Sequence, residues 1–212
     1  MKILYQGSPG AYSHLAALEV YPNAEIVSCK TFDECFSRAQ EDEKLKIIIP
    51  ESNKTTGNIG IEYLIFKYRL NIYAEHFHKI EHNLLGLPGA KITDIKNVLS
   101  HAQGLSQCSN FIKKNNLIEN VRADTAGSAE LIAKNKNKSD AAIASKLSAK
   151  IYKLDIVASN IENEKGNTTR FLIMGKSIQQ PELDKKKYIT SFLFKLKSKP
   201  AALYQSLGGF AI

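Results

Sequence analysis

The run Asn167-Thr168-Thr169-Arg170-Phe171 sets an amide, two hydroxyls and a guanidinium side by side, ahead of the apolar stretch Leu172-Ile173-Met174. A guanidinium reads a carboxylate through a two-pronged hydrogen bond. A hydroxyl beside it can donate to a leaving oxygen. A site that binds a carboxylate and expels a hydroxyl would use this pair. Taken alone, the run reads equally well as a strand with alternating exposed and buried side chains.

Hydroxyls and amides also gather at four strand-to-helix junctions: Gly7 to Ser13, Ser52 to Thr56, Ser100 to Gln103 and Asp124 to Gly127. A helix N-terminus offers unpaired N–H groups and a partial positive charge, so several such ends around one cleft could hold a dicarboxylate. Any one of them is also explained as an N-cap. Gly7-Ser8-Pro9-Gly10 lacks the third glycine of a dinucleotide fingerprint and the lysine of a P-loop. Of the five histidines, His76, His78 and His82 cluster. On an extended stretch the first two share a face with no third ligand type nearby, so they read as surface or cleft-wall groups, not a metal site. Cys108 follows His101 at helical distance but reads as a packed core thiol before a nucleophile.

The elements that would position these groups follow an α/β pattern. Strand-like runs are expected at Lys2 to Tyr5, Glu25 to Ser28 and Leu45 to Ile49, the last ended by Pro50 and followed by a polar loop, Glu51 to Thr56. Further strands are expected at 70–75, 80–85, 97–100, 119–122, 141–144, 156–159 and 169–174. Helices are expected at 12–20, from a Thr31/Glu34 capping box to about 40, and at 61–68, 104–114, 125–134 and 146–152. Two βαβ blocks, about 1–69 and 88–150, flank an extended stretch, and the chain then returns through 154–176. That order predicts two lobes joined by two crossing segments with a ligand cleft between them. Residues 177–187 read as a linker, followed by a strand over 188–196 and a helix over 199–207.

The chain has 212 residues and a mass of 23.6 kDa, enough for one large domain or two lobes. Its hydrophobic content of 43% is ordinary for a globular protein, and no apolar run reaches the ~20 residues of a membrane span. The net charge is +8, but the lysines are scattered and nucleic-acid motifs are missing. A mild positive field favours a small dianion instead. Three cysteines without zinc spacing, and an N-terminus that enters a strand pattern directly, predict a cytoplasmic protein with reduced thiols.

Several segments resemble, in order, those of the prephenate dehydratase family in the form that carries a C-terminal ACT regulatory domain. They are Gln6 to Ala17, with its Gly-Ala-Tyr-Ser core; Ser100-His101-Ala102-Gln103-Gly104-Leu105-Ser106-Gln107-Cys108; Asp124-Thr125-Ala126-Gly127-Ser128-Ala129; Ala141 to Ser145; and the Asn-x-Thr-Arg-Phe signature at Asn167 to Phe171. The resemblance implies a two-lobed catalytic domain like the type II periplasmic binding proteins over residues 1–178. Lobe 1 would comprise about 1–72 and 158–178, and lobe 2 about 73–157. A linker (179–187) and a truncated start of an ACT domain (188–212) would follow.

The resemblance also implies a cofactor-free hydro-lyase that converts prephenate to phenylpyruvate in phenylalanine biosynthesis. Thr169, Arg170 and Asn53 are its expected catalytic residues. Ser13, Ser52, Ser100, Gln103, Thr125, Ala126, Gly127, Asn167, Thr168 and Phe171 are its expected substrate-binding residues. The alternatives are arogenate as substrate, or a non-catalytic two-lobed anion binder. No metal, nucleic acid or membrane partner is expected. The resemblance is to a family in which dimerisation is common, although the truncated tail removes part of a usual interface and leaves a homodimer open, and phenylalanine regulation is expected to be impaired by the truncation. Strand alternation could turn Arg170 away from Thr169, where it would brace the structure. The family's Pro-x-Glu-Asn-Ser segment reads here Pro50-Glu51-Ser52-Asn53-Lys54: Ser52 takes the glutamate's place and Glu51 comes one position early. On a strand such a shift moves a side chain to the other face. Ala102 and Gly104 stand where the family has proline and alanine.

Overall fold

The computed structural model describes residues 1–178, 189–190 and 194–210. Two compact units are present, Met1–Gln179 and Gln180–Ile212.

The first unit contains two sheets. Strands β1 (Lys2–Gln6), β2 (Glu25–Cys29), β3 (Leu45–Asn53), β4 (Gly57–Asn58) and β5 (Asn71–Lys79) alternate with helices α1 (Tyr12–Val20), α2 (Phe32–Glu41) and α3 (Glu62–Tyr68). Strands β6 (Asn83–Gly86), β7 (Asn97–His101), β8 (Ile118–Arg122), β9 (Asp140–Ala144) and β10 (Asp155–Ala158) alternate with α4 (Ala102–Gln107), α5 (Ser109–Lys114), α6 (Thr125–Asn135) and α7 (Lys146–Tyr152). The chain then returns as β11 (Thr168–Gly175). One sheet has the order β2-β1-β3-β11-β5, with β4 paired to β3; the other has the order β10-β6-β9-β7-β8.

Each sheet is covered on both faces, which explains its continuous apolar runs. In the first, Leu4, Ile47, Ile49, Leu172 and Met174 pack under α2 and α3, while Ile3, Tyr5, Ile48, Phe171 and Ile173 pack against Ala16 and Ala17 of α1. In the second, Val98, Ala141 and Ile143 meet Leu105 and Ile112, and Leu99, Ala142 and Ala144 meet Ala129 and Ile132 of α6. The Thr31 hydroxyl accepts from the Glu34 N–H, as the capping-box spacing predicts.

Three elements depart from expectation. Pro50 does not end β3, which runs through Glu51 and Ser52 to Asn53. Arg170 pairs with Ser52 and Phe171 with Pro50, so Glu51 is the extra residue of a bulge. A bulge is where a strand tolerates a proline and where a side chain is re-aimed. The helix expected over 104–114 is broken at Cys108 into α4 and α5. Asn163 caps the break from the returning segment: its N–H donates to the Gln107 carbonyl at 2.7 Å, its Nδ2 to the Ser106 carbonyl at 3.2 Å, and its Oδ1 accepts from the Asn110 N–H at 3.0 Å. The strand expected at 70–75 continues to Lys79 and belongs to the first sheet, so the first crossing falls at 80–82, beyond the expected boundary at 72/73. The two crossing segments hydrogen-bond to each other, Ile80 N–H to the Asn167 carbonyl and Ile161 N–H to the His82 carbonyl.

In the second unit, α8 spans Ala202–Gly208, close to the expected helix, and exposes Leu203, Tyr204 and Leu207. Of the strand expected over 188–196, residues 189, 190 and 194–196 carry no strand, and 188 and 191–193 lie outside the described residues. The expected linker at 179–187 lies there as well.

Candidate active site

A cleft of about 410 Å³ lies between the two sheets. Its walls come from both lobes. Tyr12, Ser13, Asn53 and Thr169 come from the first, and His82, Gln103, Gln107, Asp124 and Thr125 from the second, with Phe171 at the base.

Thr169 sits in β11 between two registered neighbours, Asn53 of β3 and His78 of β5. It is 7% exposed. The Asn53 Nδ2 donates to the Thr169 Oγ1 at 2.8 Å. The orientation of that amide is fixed from its other end, where Oδ1 accepts the backbone N–H groups of Thr55 and Thr56 and the Thr56 hydroxyl. One lone pair of the threonine oxygen is therefore occupied, and among the described residues no acceptor takes its proton. The O–H is left to donate into the cleft.

Arg170 points the other way. Its Nε meets the Glu75 carboxylate at 2.7 Å and its NH1 the Glu51 carboxylate at 3.3 Å. Ser52 Oγ donates to the same Glu51 oxygen at 2.6 Å. Arg170, Glu51, Ser52 and Glu75 thus form a brace across β3, β11 and β5, outside the cleft lining, and the bulge at Glu51 is what lets it reach Arg170. Ser100 is fully buried and donates to the Ile143 carbonyl, beneath the cleft floor. Ala126 is buried in the first turn of α6, and the Gly127 N–H is taken by the Asp124 cap at 2.6 Å. Thr168 bonds the Gly166 carbonyl. Asn167 is buried at the second crossing, its side-chain amide without a partner among the described residues. Ser13, Asn53, Gln103, Thr125, Thr169 and Phe171 are therefore the expected residues that converge on the cleft.

No Lys or Arg is among the described lining residues. Anion binding must come from dipoles. The first turns of α1, at Tyr12 and Ser13, and of α6, at Thr125, open on the cleft with backbone N–H groups that the helices themselves cannot satisfy.

Four residues of the site were quoted in motifs or histidine clusters without a role. The Tyr12 hydroxyl lies 2.9 Å from two acceptors, the Glu81 carbonyl oxygen and His82 Nδ1, and donates its one proton between them. His82 Nε2 meets Gln107 Oε1 at 2.7 Å. Burial pushes the Tyr12 phenol well up, helped by the nearby Cys108, Glu162 and Glu81, so it stays protonated. Burial pulls His82 below 6.5 against the opposing pull of Gln107 and Glu162, so the imidazole is neutral near pH 7. Asp124 caps α6 and accepts from Ser8 of the other lobe at 3.3 Å. No spacing in the chain marks the Tyr12–His82 and Ser8–Asp124 contacts, because each joins residues of different lobes, whereas the Asp124 cap on Gly127 is the local contact that its spacing predicts.

The lobes are latched beside the cleft. Ser145 and Ser148 hydroxyls both donate to the Gly10 carbonyl, at 2.6 and 3.0 Å, and the Tyr152 hydroxyl donates to the Pro9 carbonyl at 2.9 Å. Gln103 bonds Thr56 across the opening. Gly10 has φ +94°, and a Cβ there would stand 2.5 Å from Ser148 Oγ and 2.8 Å from its Cα. Both facts require glycine.

A prephenate dehydratase family model matches residues 3–179. The chain is similar to arogenate dehydratase/prephenate dehydratase 1, chloroplastic, of Arabidopsis thaliana, with 41% identity over 100% of this chain and 54% of that protein. It is 33% identical to a bifunctional N-acyl-homoserine lactone acylase/prephenate dehydratase of Komagataeibacter europaeus, over 99% of this chain and 75% of that protein. A solved structure of prephenate dehydratase from Arthrobacter aurescens, in complex with L-Phe, superposes with a TM-score of 0.86 over 100% of this chain and 72% of that one. At 20% identity, that likeness is one of fold. The chain spans about half the length of the plant relatives it matches.

Proposed function

The chain belongs to the prephenate dehydratase family, and on that premise we propose that it converts prephenate to phenylpyruvate, the hydro-lyase reaction EC 4.2.1.51. The observation that carries the reading is Thr169 in the cleft lining with its oxygen accepting from the Asn53 amide, which leaves its O–H as the donor it can offer a ligand. Prephenate dianion takes up one proton and gives phenylpyruvate, carbon dioxide and water. The bond from the ring to its carboxylate breaks, its electron pair enters the ring, and the ring hydroxyl departs as the ring becomes aromatic.

This chemistry needs position and fixed dipoles more than a strong acid. The Thr169 hydroxyl donates a hydrogen bond to the departing oxygen, and the proton that completes the water is drawn from solvent. The first-turn N–H groups of α1 and α6 hold the two carboxylates from opposite walls. Neutral His82 and protonated Tyr12 add no charge to a site that must release carbon dioxide. Ser13, Gln103 and Thr125 supply further hydrogen bonds to the carboxylates.

A second reading takes arogenate, which differs by an ammonium group. Asp124 is the acidic side chain among the described lining residues and offers that ammonium a counter-charge. It is also occupied, by Ser8 and the Gly127 N–H, which weighs toward prephenate. Assaying both substrates side by side, by phenylpyruvate absorbance and by phenylalanine release, tests the proposal. A chain that turns over neither substrate would refute it, and faster turnover of arogenate would establish the second reading.

A further inference from the structure

His76 and His78 alternate with Phe77 on β5, so both imidazoles stand on the sheet face that carries α1. The chain order around them offers no third ligand. The fold supplies one: Glu19, in the last turn of α1, brings a single carboxylate oxygen to 2.7 Å from His76 Nε2 and 2.9 Å from His78 Nδ1. One ligand atom from each of the three side chains lies within 4.8 Å of the others. We propose that Glu19, His76 and His78 form a binding site for a divalent transition-metal ion of the zinc class, which pins α1 to β5 beside the catalytic cleft.

Two imidazoles and one carboxylate are a donor set that zinc accepts with a water in the fourth position, at ~2.0–2.1 Å per bond. Tetrahedral bonds of that length separate the ligand atoms by ~3.3 Å. The triad needs only a small adjustment from its hydrogen-bonded spacing, and it has the freedom to make it. The Glu19 side chain is 46% and that of His76 26% exposed, while His78, at 10%, fixes the site. The exposed side leaves room for the water. Calcium and magnesium prefer all-oxygen shells, so two imidazoles select against them. The Glu19 carboxylate supplies the anionic ligand of the set.

The position gives such an ion a consequence. His78 is the registered neighbour of Thr169, and His76 that of Phe171. The Tyr12 ring lies between the triad and the cleft, 6.1 Å from His78 and 5.5 Å from His82. Tyr12 and Ser13 open α1, whose far end carries Glu19. An ion at the triad ties the far end of that helix to the strand beside Thr169.

Calorimetric titration of the purified, chelator-treated chain with zinc chloride tests the site. One saturable ion per chain is expected, with binding weakened at least tenfold in both Glu19→Gln and His76→Ala. These two residues are partly exposed, so their variants should fold; cobalt(II) uptake read by its visible bands gives an independent report, and the bands should be lost in the same variants. Absence of saturable zinc uptake by the unmodified chain would overturn the proposal, as would unaltered zinc binding and cobalt bands in both variants.

Discussion

Asn53 Nδ2 lies 2.8 Å from Thr169 Oγ1, and that contact fills an acceptor site of the threonine oxygen, so that the hydroxyl meets a ligand as a donor. Removing the hydroxyl removes the donor to the leaving oxygen. Loss of one preorganised donor of this kind costs about 10²–10³ in kcat. Thr169→Ala is expected to fall in that range with an unchanged melting temperature, and Thr169→Ser to recover much of the loss. Steady-state turnover of prephenate checks it, and near-unmodified kcat in the alanine variant would remove Thr169 from the mechanism.

If Asn53 acts by orienting Thr169, the two residues act as one unit. Asn53→Ala should lower kcat by about tenfold or more, and adding it to Thr169→Ala should cost little further. Full additivity in the double-mutant cycle would mean that Asn53 works on the substrate by itself.

Arg170 makes the opposite prediction. Its partners are Glu75 and Glu51 on the far face of β11, so it serves the sheet and not the cleft. The pairs are partly buried, and their loss is expected to cost about 1 kcal/mol, a fall of about 2–4 °C in a protein of this size. Arg170→Ala should show that fall with kcat within a few-fold of the unmodified chain. A large loss of kcat at unchanged KM and stability would place the guanidinium in the reaction after all.

How much of this could be read beforehand differs from residue to residue. The alternation along β11 was visible, and with it the doubt over Arg170. So were the capped start of α2 and the apolar strands, because those signals are local. The Asn53–Thr169 pair joins positions 116 residues apart, and only the antiparallel register of β3 with β11 makes them neighbours. The displaced Glu51 depends on a bulge, which a linear pattern of hydrophobicity does not mark. Glu19 met His76 and His78 only because α1 packs over β5.

Gly10 tests the latch between the lobes. Alanine there takes a positive φ, a strain of about 1 kcal/mol or more, and its Cβ would strike the backbone of Ser148 at the start of α7. Gly89, at φ +76°, has nothing within 4 Å of the corresponding position. Gly10→Ala should therefore destabilise more than Gly89→Ala, and it alone should raise KM, because the clash pushes the two cleft walls apart. Equal effects of the two substitutions on KM and melting temperature would show that the contact of Gly10 with Ser148 does not set the cleft.

His82 gives the pH dependence. Burial lowers its folded-state affinity for a proton below that of the unfolded chain, whose histidines titrate near 6.5. The unfolded chain then takes up more protons as the pH falls, so the stability held above about 6.5 is lost as the pH drops through 6 and toward the folded value. His14, also lowered by burial, adds a loss of the same sign, whereas Glu19 contributes in the carboxylate range, below that of the histidines. Melting temperatures of the unmodified chain should therefore decline between pH 7 and pH 5. In His82→Gln, which keeps a polar group between Tyr12 and Gln107 without the titration, the decline should be shallower even if the variant is less stable at pH 7. Parallel slopes for the two proteins would mean that His82 takes up its proton without unfolding, and that its bonds to Tyr12 and Gln107 do not require the neutral ring.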